Sequence, residues 1–91
     1  MRSYTIDGNN FNGVETFYDE ITSVFAFPDY FGRNLDAVYD CLTDIGDDVE
    51  IIWLNSVKSK EELSRDTTQA GFYGSLIRTL AEVPDLTLIL K

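Results

Sequence analysis

Val49-Glu50-Ile51-Ile52-Trp53-Leu54 follows the helix-breaking run Gly46-Asp47-Asp48 and is short and mostly apolar. That is the composition of a strand buried on both faces, the kind found in parallel sheets covered by helices. The segments on either side then have to supply the cover. Toward the C-terminus, Ser59-Lys60-Glu61-Glu62 carries a capping-box signature for a short helix, and Asp66 with Gln69 offers another start. Tyr73, Leu76, Ile77 and Leu80 repeat at helical spacing up to Glu82. Gly71 and Gly74 weaken that helix by about 1 kcal/mol each relative to Ala, which predicts a close packing contact at them. Pro84-Asp85 ends the helix, and Leu86 to Leu90 forms a last strand.

Toward the N-terminus the pattern repeats. Leu35, Val38, Cys41, Leu42 and Ile45 lie on one side of a helix that Asn34 is placed to cap. Before it, Pro28-Asp29-Tyr30-Phe31-Gly32 reads as a turn, since Pro restricts its predecessor and Gly32 allows φ > 0. Two adjacent aromatics in a turn cannot easily both be buried. Tyr30 is expected at the surface, a Tyr tucked against the helix being the ordinary alternative. Val14, Phe17, Tyr18, Ile21, Val24 and Phe25 give an earlier amphipathic helix with an Asn12/Glu15 capping box, ending before Pro28. Ser3 to Asp7 is a short strand closed by Asp7-Gly8-Asn9-Asn10, and Gly8 to Gly13 lacks every phosphate-loop pattern, so it reads as a plain connection. The order is βααβααβ. It predicts an α/β fold with a three-stranded parallel sheet, right-handed crossovers and helices packed on it, in one domain spanning residues 1–91 without repeat or linker.

The formal charge of −9 is concentrated. The segment from Val14 to Glu50 holds ten acids against one base, Arg33, while the remainder holds six acids and six bases and is neutral. A patch of that sign repels nucleic acid and anionic membrane and speeds encounter with a basic protein or a cation. A lone cysteine can form no internal disulfide, and Cys41 is expected on the apolar helix side as a small core residue. With no apolar leader at the start and no apolar run near membrane-spanning length, the expected compartment is the cytoplasm.

Asp36, Asp40 and Asp44 fall in one row along the helix at Leu35 to Ile45. Like charges at i,i+4 repel by about 0.2 to 0.5 kcal/mol per pair, Asp is a weak helix former, and the helix dipole disfavours an anion at Asp44. Only Asp36, in the first turn, is well placed. A stability-optimised face would mix Glu with Lys, so the row points to a requirement outside the chain; a merely solvated polar face is the alternative reading. Asp36, Tyr39, Asp40 and Thr43 share about a third of the helix circumference.

Absent histidine removes the usual Ser-His-Asp, Cys-His and His-ligated metal chemistry, and Asp36 and Asp40 stand side by side rather than across a scissile bond. An enzyme is therefore not expected, nor a cofactor. A straight helix face offers a hard cation few of the six or more oxygens it gathers, so no metal site is expected beyond weak binding. Recognition of a basic protein remains, with the carboxylates accepting Arg and Lys hydrogen bonds and Tyr30 and Tyr39 adding rigid contact area.

From Pro28 to Thr43 the sequence follows the pattern Pro, acid, Tyr, aromatic, Gly, any, Asn, Leu, Asp, Ala, aliphatic, aromatic, Asp, Cys, Leu, Thr. In this, in element order and in the Asp-Leu-Thr-Leu-Ile-Leu ending, the chain resembles the barstar family of intracellular ribonuclease inhibitors. The resemblance implies that the helix and its preceding loop plug a ribonuclease active site, with carboxylates where substrate phosphates would sit. It implies contacts from Tyr30, Gly32, Asn34, Leu35, Asp36, Tyr39, Asp40 and Thr43, with Asp40 the main phosphate mimic. The implied partner is a basic secreted ribonuclease or ribonuclease-like toxin, met by a monomeric immunity protein; an acidic nucleic-acid mimic binding another basic partner is the alternative. Four positions depart from the family pattern. Tyr39 and Ile45 stand where it has Trp, Asp44 replaces Gly and adds a carboxylate, and a late-helix glutamate aligns near Arg78, leaving that acidic contact absent or reversed.

Overall fold

The computed structural model describes residues 1–91. It runs β1 (Arg2–Asp7), a 3-10 turn (Gly8–Asn10), α1 (Val14–Phe25), α2 (Leu35–Thr43), β2 (Val49–Leu54), α3 (Ser56–Arg65), α4 (Phe72–Glu82) and β3 (Leu86–Leu90). All three strands are parallel in the order β1-β2-β3. The α/β fold and its βααβααβ order are as the sequence reads.

β2 is central, but it is not buried on both faces. Val49, Ile51 and Trp53 are buried while Glu50, Ile52 and Leu54 between them are half-exposed. The register puts Tyr4 and Leu88 beside Ile51, and Ile6 and Leu90 beside Trp53, so one face collects the buried residues of β2 and their apolar neighbours, while the half-exposed Ile52 and Ile89 pair on the opposite face. Both crossovers advance the same way across the sheet, and right-handed crossovers in one direction bring both helix pairs to a single face. The other face carries Ser3, Thr5, Glu50 and Thr87.

One continuous hydrophobic cluster fills the space between sheet and helices. Trp53, fully inaccessible, is its centre: Phe17 stacks on it at 5.8 Å, and Phe11 and Tyr73 meet it edge-on. Its Nε1–H donates to Ser59 Oγ at 2.9 Å, and that hydroxyl donates on to the Asn55 carbonyl, satisfying a donor that burial would otherwise orphan. Gly8 passes so close to this point that a Cβ there would strike Ser59 Oγ and lie 2.6 Å from the Asn55 carbonyl. Gly8 to Asn10 is accordingly a tight 3-10 turn capped by Asp7 rather than a plain connection.

Several helix starts differ from expectation because side chains found tertiary partners. Thr16, not Glu15, caps α1, its Oγ1 accepting from the Gly13 and Asn12 amides at 3.1 and 3.0 Å. Asp66 starts no helix; its carboxylate accepts from the Val14 amide at 3.0 Å and from the Thr68 amide, tying the loop before α4 to the start of α1. α3 begins at Ser56, whose amide and hydroxyl both donate to the Lys91 carbonyl, and Ser59 serves Trp53 instead of a cap. Gly71 is explained by its φ of +75°, not by close packing; at Gly74 the nearest atom to a Cβ would be Arg78 Nη1 at 3.8 Å, and nothing in the structure explains that glycine.

Candidate protein-binding site

The segment from Phe27 to Asn34 crosses from the end of α1 to the start of α2 and is fixed at three points. Phe31 is buried, with its ring against Phe27 at 4.8 Å and Tyr18 at 6.0 Å, and its amide donates to the Pro28 carbonyl. Tyr30 beside it is 87% exposed. The expected division between the two aromatics is the observed one. The positive φ of the turn falls on Arg33 (+50°) and not on Gly32. At Gly32 a Cβ would meet Asn34 Nδ2 at 3.2 Å, a tight contact with the side chain that caps α2.

Arg33 reaches back to α1. Its Nη2 donates to the Glu15 carbonyl at 2.8 Å and to Glu15 Oε2 at 2.9 Å and pairs with Asp19 at 3.1 Å, while the guanidinium lies 5.6 Å from the Tyr18 ring centroid. Burial pushes the Tyr18 phenol up to about 12. The only base between Val14 and Glu50 is thus engaged with α1, and α2 receives no counter-charge from it.

Asn34 caps α2 as expected, its Oδ1 accepting from the Ala37 amide at 2.8 Å. Val38 and Leu42 are buried, Leu35 and Tyr39 half-buried, and Asp36, Asp40, Thr43 and Asp44 exposed. The carboxylates of Asp36, Asp40 and Asp44 accept no hydrogen bond and pair with no cation. They do not all face one way. Asp36 and Asp40 line a groove of about 420 Å³ between α2 and α4 with Tyr39, Thr79 and Glu82. Asp40 and Asp44 line a second, apolar cleft of about 530 Å³ between α2 and the α1–α2 connection. Asp40 therefore stands on the ridge between two hollows. Thr43 faces a third, near Asp47 and Asp85, and its hydroxyl donates to the Asp40 carbonyl at 2.9 Å.

Two residues change standing. Cys41 is half-buried on the wall of the apolar cleft rather than in the core; burial, then the charges of Asp44 and Asp40, push its thiol up. Glu82 joins the carboxylates from α4, which the linear spacing of α2 could not reveal. Its signal was positional: it follows Arg78 by one turn on the helix that packs against α2. Arg78 itself folds onto α4, donating to Ser75 Oγ at 3.2 Å, and does not line the groove. No three His, Cys, Asp or Glu side chains converge to hold a metal ion, and no helix is long and apolar enough to cross a membrane.

Fold and surface together define an α/β protein with a helix-covered parallel sheet and an exposed helix of unpaired carboxylates. The sequence matches the family described as Barstar (barnase inhibitor) over residues 1–83, and the chain belongs to that family. It is also 51% identical over 43 residues to a Bacillus subtilis (strain 168) protein named "Putative ribonuclease inhibitor YrdF". That match covers 47% of this chain and 47% of the relative, so about half of either length is compared.

Proposed function

We propose that this protein inhibits a basic ribonuclease by seating α2 and the Phe27–Asn34 connection in the enzyme's active site. The observation that carries the reading is the row of Asp36, Asp40 and Asp44, exposed and unpaired while Arg33, the one base between Val14 and Glu50, is spent on α1. One helical turn separates successive carboxylates, about 6 Å along the axis, so each can accept its own Arg or Lys. Tyr30 and Tyr39 would flank them with rigid contact area, and Gly32, Asn34, Leu35 and Thr43 would complete the contact around them. Glu82 adds a carboxylate from α4 beside Asp36 and Asp40.

A carboxylate held where a substrate phosphate would bind competes with RNA without offering a bond to cleave, so the chain needs no catalytic group. Its net charge of −9 draws a basic partner in and keeps nucleic acid away. In this reading the free chain is a monomer acting in the cytoplasm, where Cys41 stays reduced. The test is an RNA-cleavage assay with purified bacterial ribonucleases and the chain in excess. At least one enzyme should be silenced, and Asp40→Ala should release it while Glu61→Ala does not. Undiminished cleavage across the panel, with capture of an unrelated basic protein, would assign the acidic face to a different partner.

A further inference from the structure

β3 ends the sheet, and its outer edge is open in a way that the edge of β1 is not. The Asp85 carbonyl accepts from the Val49 amide and the Lys91 amide donates to the Trp53 carbonyl, so Asp85, Thr87, Ile89 and Lys91 turn their backbone groups toward β2. Leu86, Leu88 and Leu90 therefore turn theirs outward, and none of them makes a backbone hydrogen bond outside the sheet. At the other edge the Arg2 amide donates to the Asp48 carbonyl, which leaves Ser3, Thr5 and Asp7 outward, but the Asp7 amide already donates to Glu20 Oε2 at 3.2 Å. β1 also carries Arg2 and Asp7, whereas Leu86–Leu90 has no charge and no proline, and its register with β2 is unbroken. Charges, proline and bulges are what protect an edge strand from pairing with another, and β3 has none of them.

The strand is also self-complementary. If two copies of β3 run antiparallel about a two-fold axis at Leu88, Leu88 faces its own copy and Leu86 faces Leu90, so every outward-turned residue falls on a pair that exchanges both backbone bonds. The same register sets Asp85 against Lys91 at both ends. Both side chains are exposed, and neither has an ionic partner within the chain. A shift by one residue would oppose outward-turned groups to inward-turned ones. A shift by two in one direction sets Pro84, which has no N–H, against Leu90, and in either direction it separates Asp85 from Lys91. On the helix side the leucines of both copies, with Leu90 now 48% exposed, would form one strip continuous with the core at Leu86 and Leu88.

We infer that a second copy of this chain pairs along β3, joining the two sheets in an isologous dimer. The acid excess lies between Val14 and Glu50, and at 0.15 M salt repulsion beyond about 8 Å is largely screened. One strand edge is a small interface, below about 1,200 Å² in total, so the dimer forms at roughly 0.1 mM chain and dissociates at the far lower concentrations of an inhibition assay, where the chain is the monomer of the inhibitor reading. The pairing uses none of the residues that reading assigns to the ribonuclease. Because Glu20 occupies the β1 edge, association stops at two chains.

Sedimentation of the free chain from about 1 µM to about 0.5 mM, at the salt concentration above, reads the assembly, and amide exchange at the two ends of that range reads its place. The mass should rise from one chain toward two and no further. The Leu86, Leu88 and Leu90 amides should exchange more slowly at high concentration, while those of Ser3 and Thr5 should not. Leu88→Pro removes the donor at the two-fold axis, one that the sheet within a single chain does not use, and should leave the protein monomeric throughout. Lys91→Glu changes an exposed side chain without a partner, so the variant should fold; by turning attractive pairs into repulsive ones at both ends it should weaken association about three- to tenfold. Tyr30→Ala, which removes the most exposed large apolar side chain, should leave association unchanged. A chain still monomeric at the highest concentration, a mass growing beyond two chains, association undiminished by Lys91→Glu, or association lost with Tyr30→Ala would overturn the assignment.

Discussion

Replacing Asp40 with alanine should make the protein more stable and a worse binder, and the two signs together identify the residue's role. Asp40 lies one turn from Asp36 and one turn from Asp44, and its side chain accepts no hydrogen bond, so truncation forfeits no internal contact. Two i,i+4 repulsions disappear, about 0.4 to 1 kcal/mol together, and the change from Asp to Ala in a helix interior adds up to about 0.7 kcal/mol. With the upper propensity figure the sum is a gain of about 1.1 to 1.7 kcal/mol. For a domain of this length each kcal/mol moves Tm by about 4 to 8 °C, so calorimetry should show a rise of roughly 4 to 14 °C. Repeating the melt in 1 M salt, where the Debye length falls to about 3 Å, should remove most of the repulsive part and keep the propensity part. Titration calorimetry against the inhibited ribonuclease should lose more than about 2 kcal/mol of binding, the size of a hot-spot truncation. A lower Tm would show that Asp40 supports the fold; binding losses equal to those of Glu61→Ala would show that it does not contact the partner.

Other substitutions test the framework that presents α2. Asn34→Ala removes the side chain that accepts from the Ala37 amide and should cost about 1 kcal/mol, read as a lower midpoint in urea with unchanged slope. Ser59→Ala leaves Trp53 Nε1 buried without an acceptor and should cost about 1 to 3 kcal/mol, with a change in the near-ultraviolet signal of the single tryptophan. Asp66, held by Thr68 and Val14, is shifted below its ordinary value of 3.8. A carboxylate with a depressed folded pKa contributes stability that is present above about pH 4 and is lost as pH falls through the folded value. Asp66→Asn should therefore flatten the acid limb of the stability curve, whereas an unchanged limb would dissociate that loop from acid unfolding.

Much of the architecture was legible in the chain because it depends on local period. The 3.6-residue spacing from Val14 to Phe25 and from Leu35 to Ile45, the apolar runs of β2 and β3, and the side chain of Asn34 are local signals, and each gave the element observed, although α2 ends at Thr43, two residues short of Ile45. The starts of α1, α3 and α4 were not legible. Thr16, Ser59 and Asp66 took partners, and a linear pattern cannot show that Asp66 meets the Val14 amide or that Ser59 meets Trp53.

The same division runs through the acidic face. Sequence alone placed Asp36, Asp40 and Asp44 in one helical row, put the whole net charge between Val14 and Glu50, and chose Tyr30 as the exposed aromatic. Helix geometry and composition suffice for that. Tertiary structure decided that Arg33 is bound to α1 and leaves the row without counter-charge, that Glu82 joins it, and that Asp40 divides an acidic groove from an aromatic cleft. These depend on how α1, α2 and α4 sit against one another, and that arrangement follows from both crossovers bringing their helices to one face of the sheet.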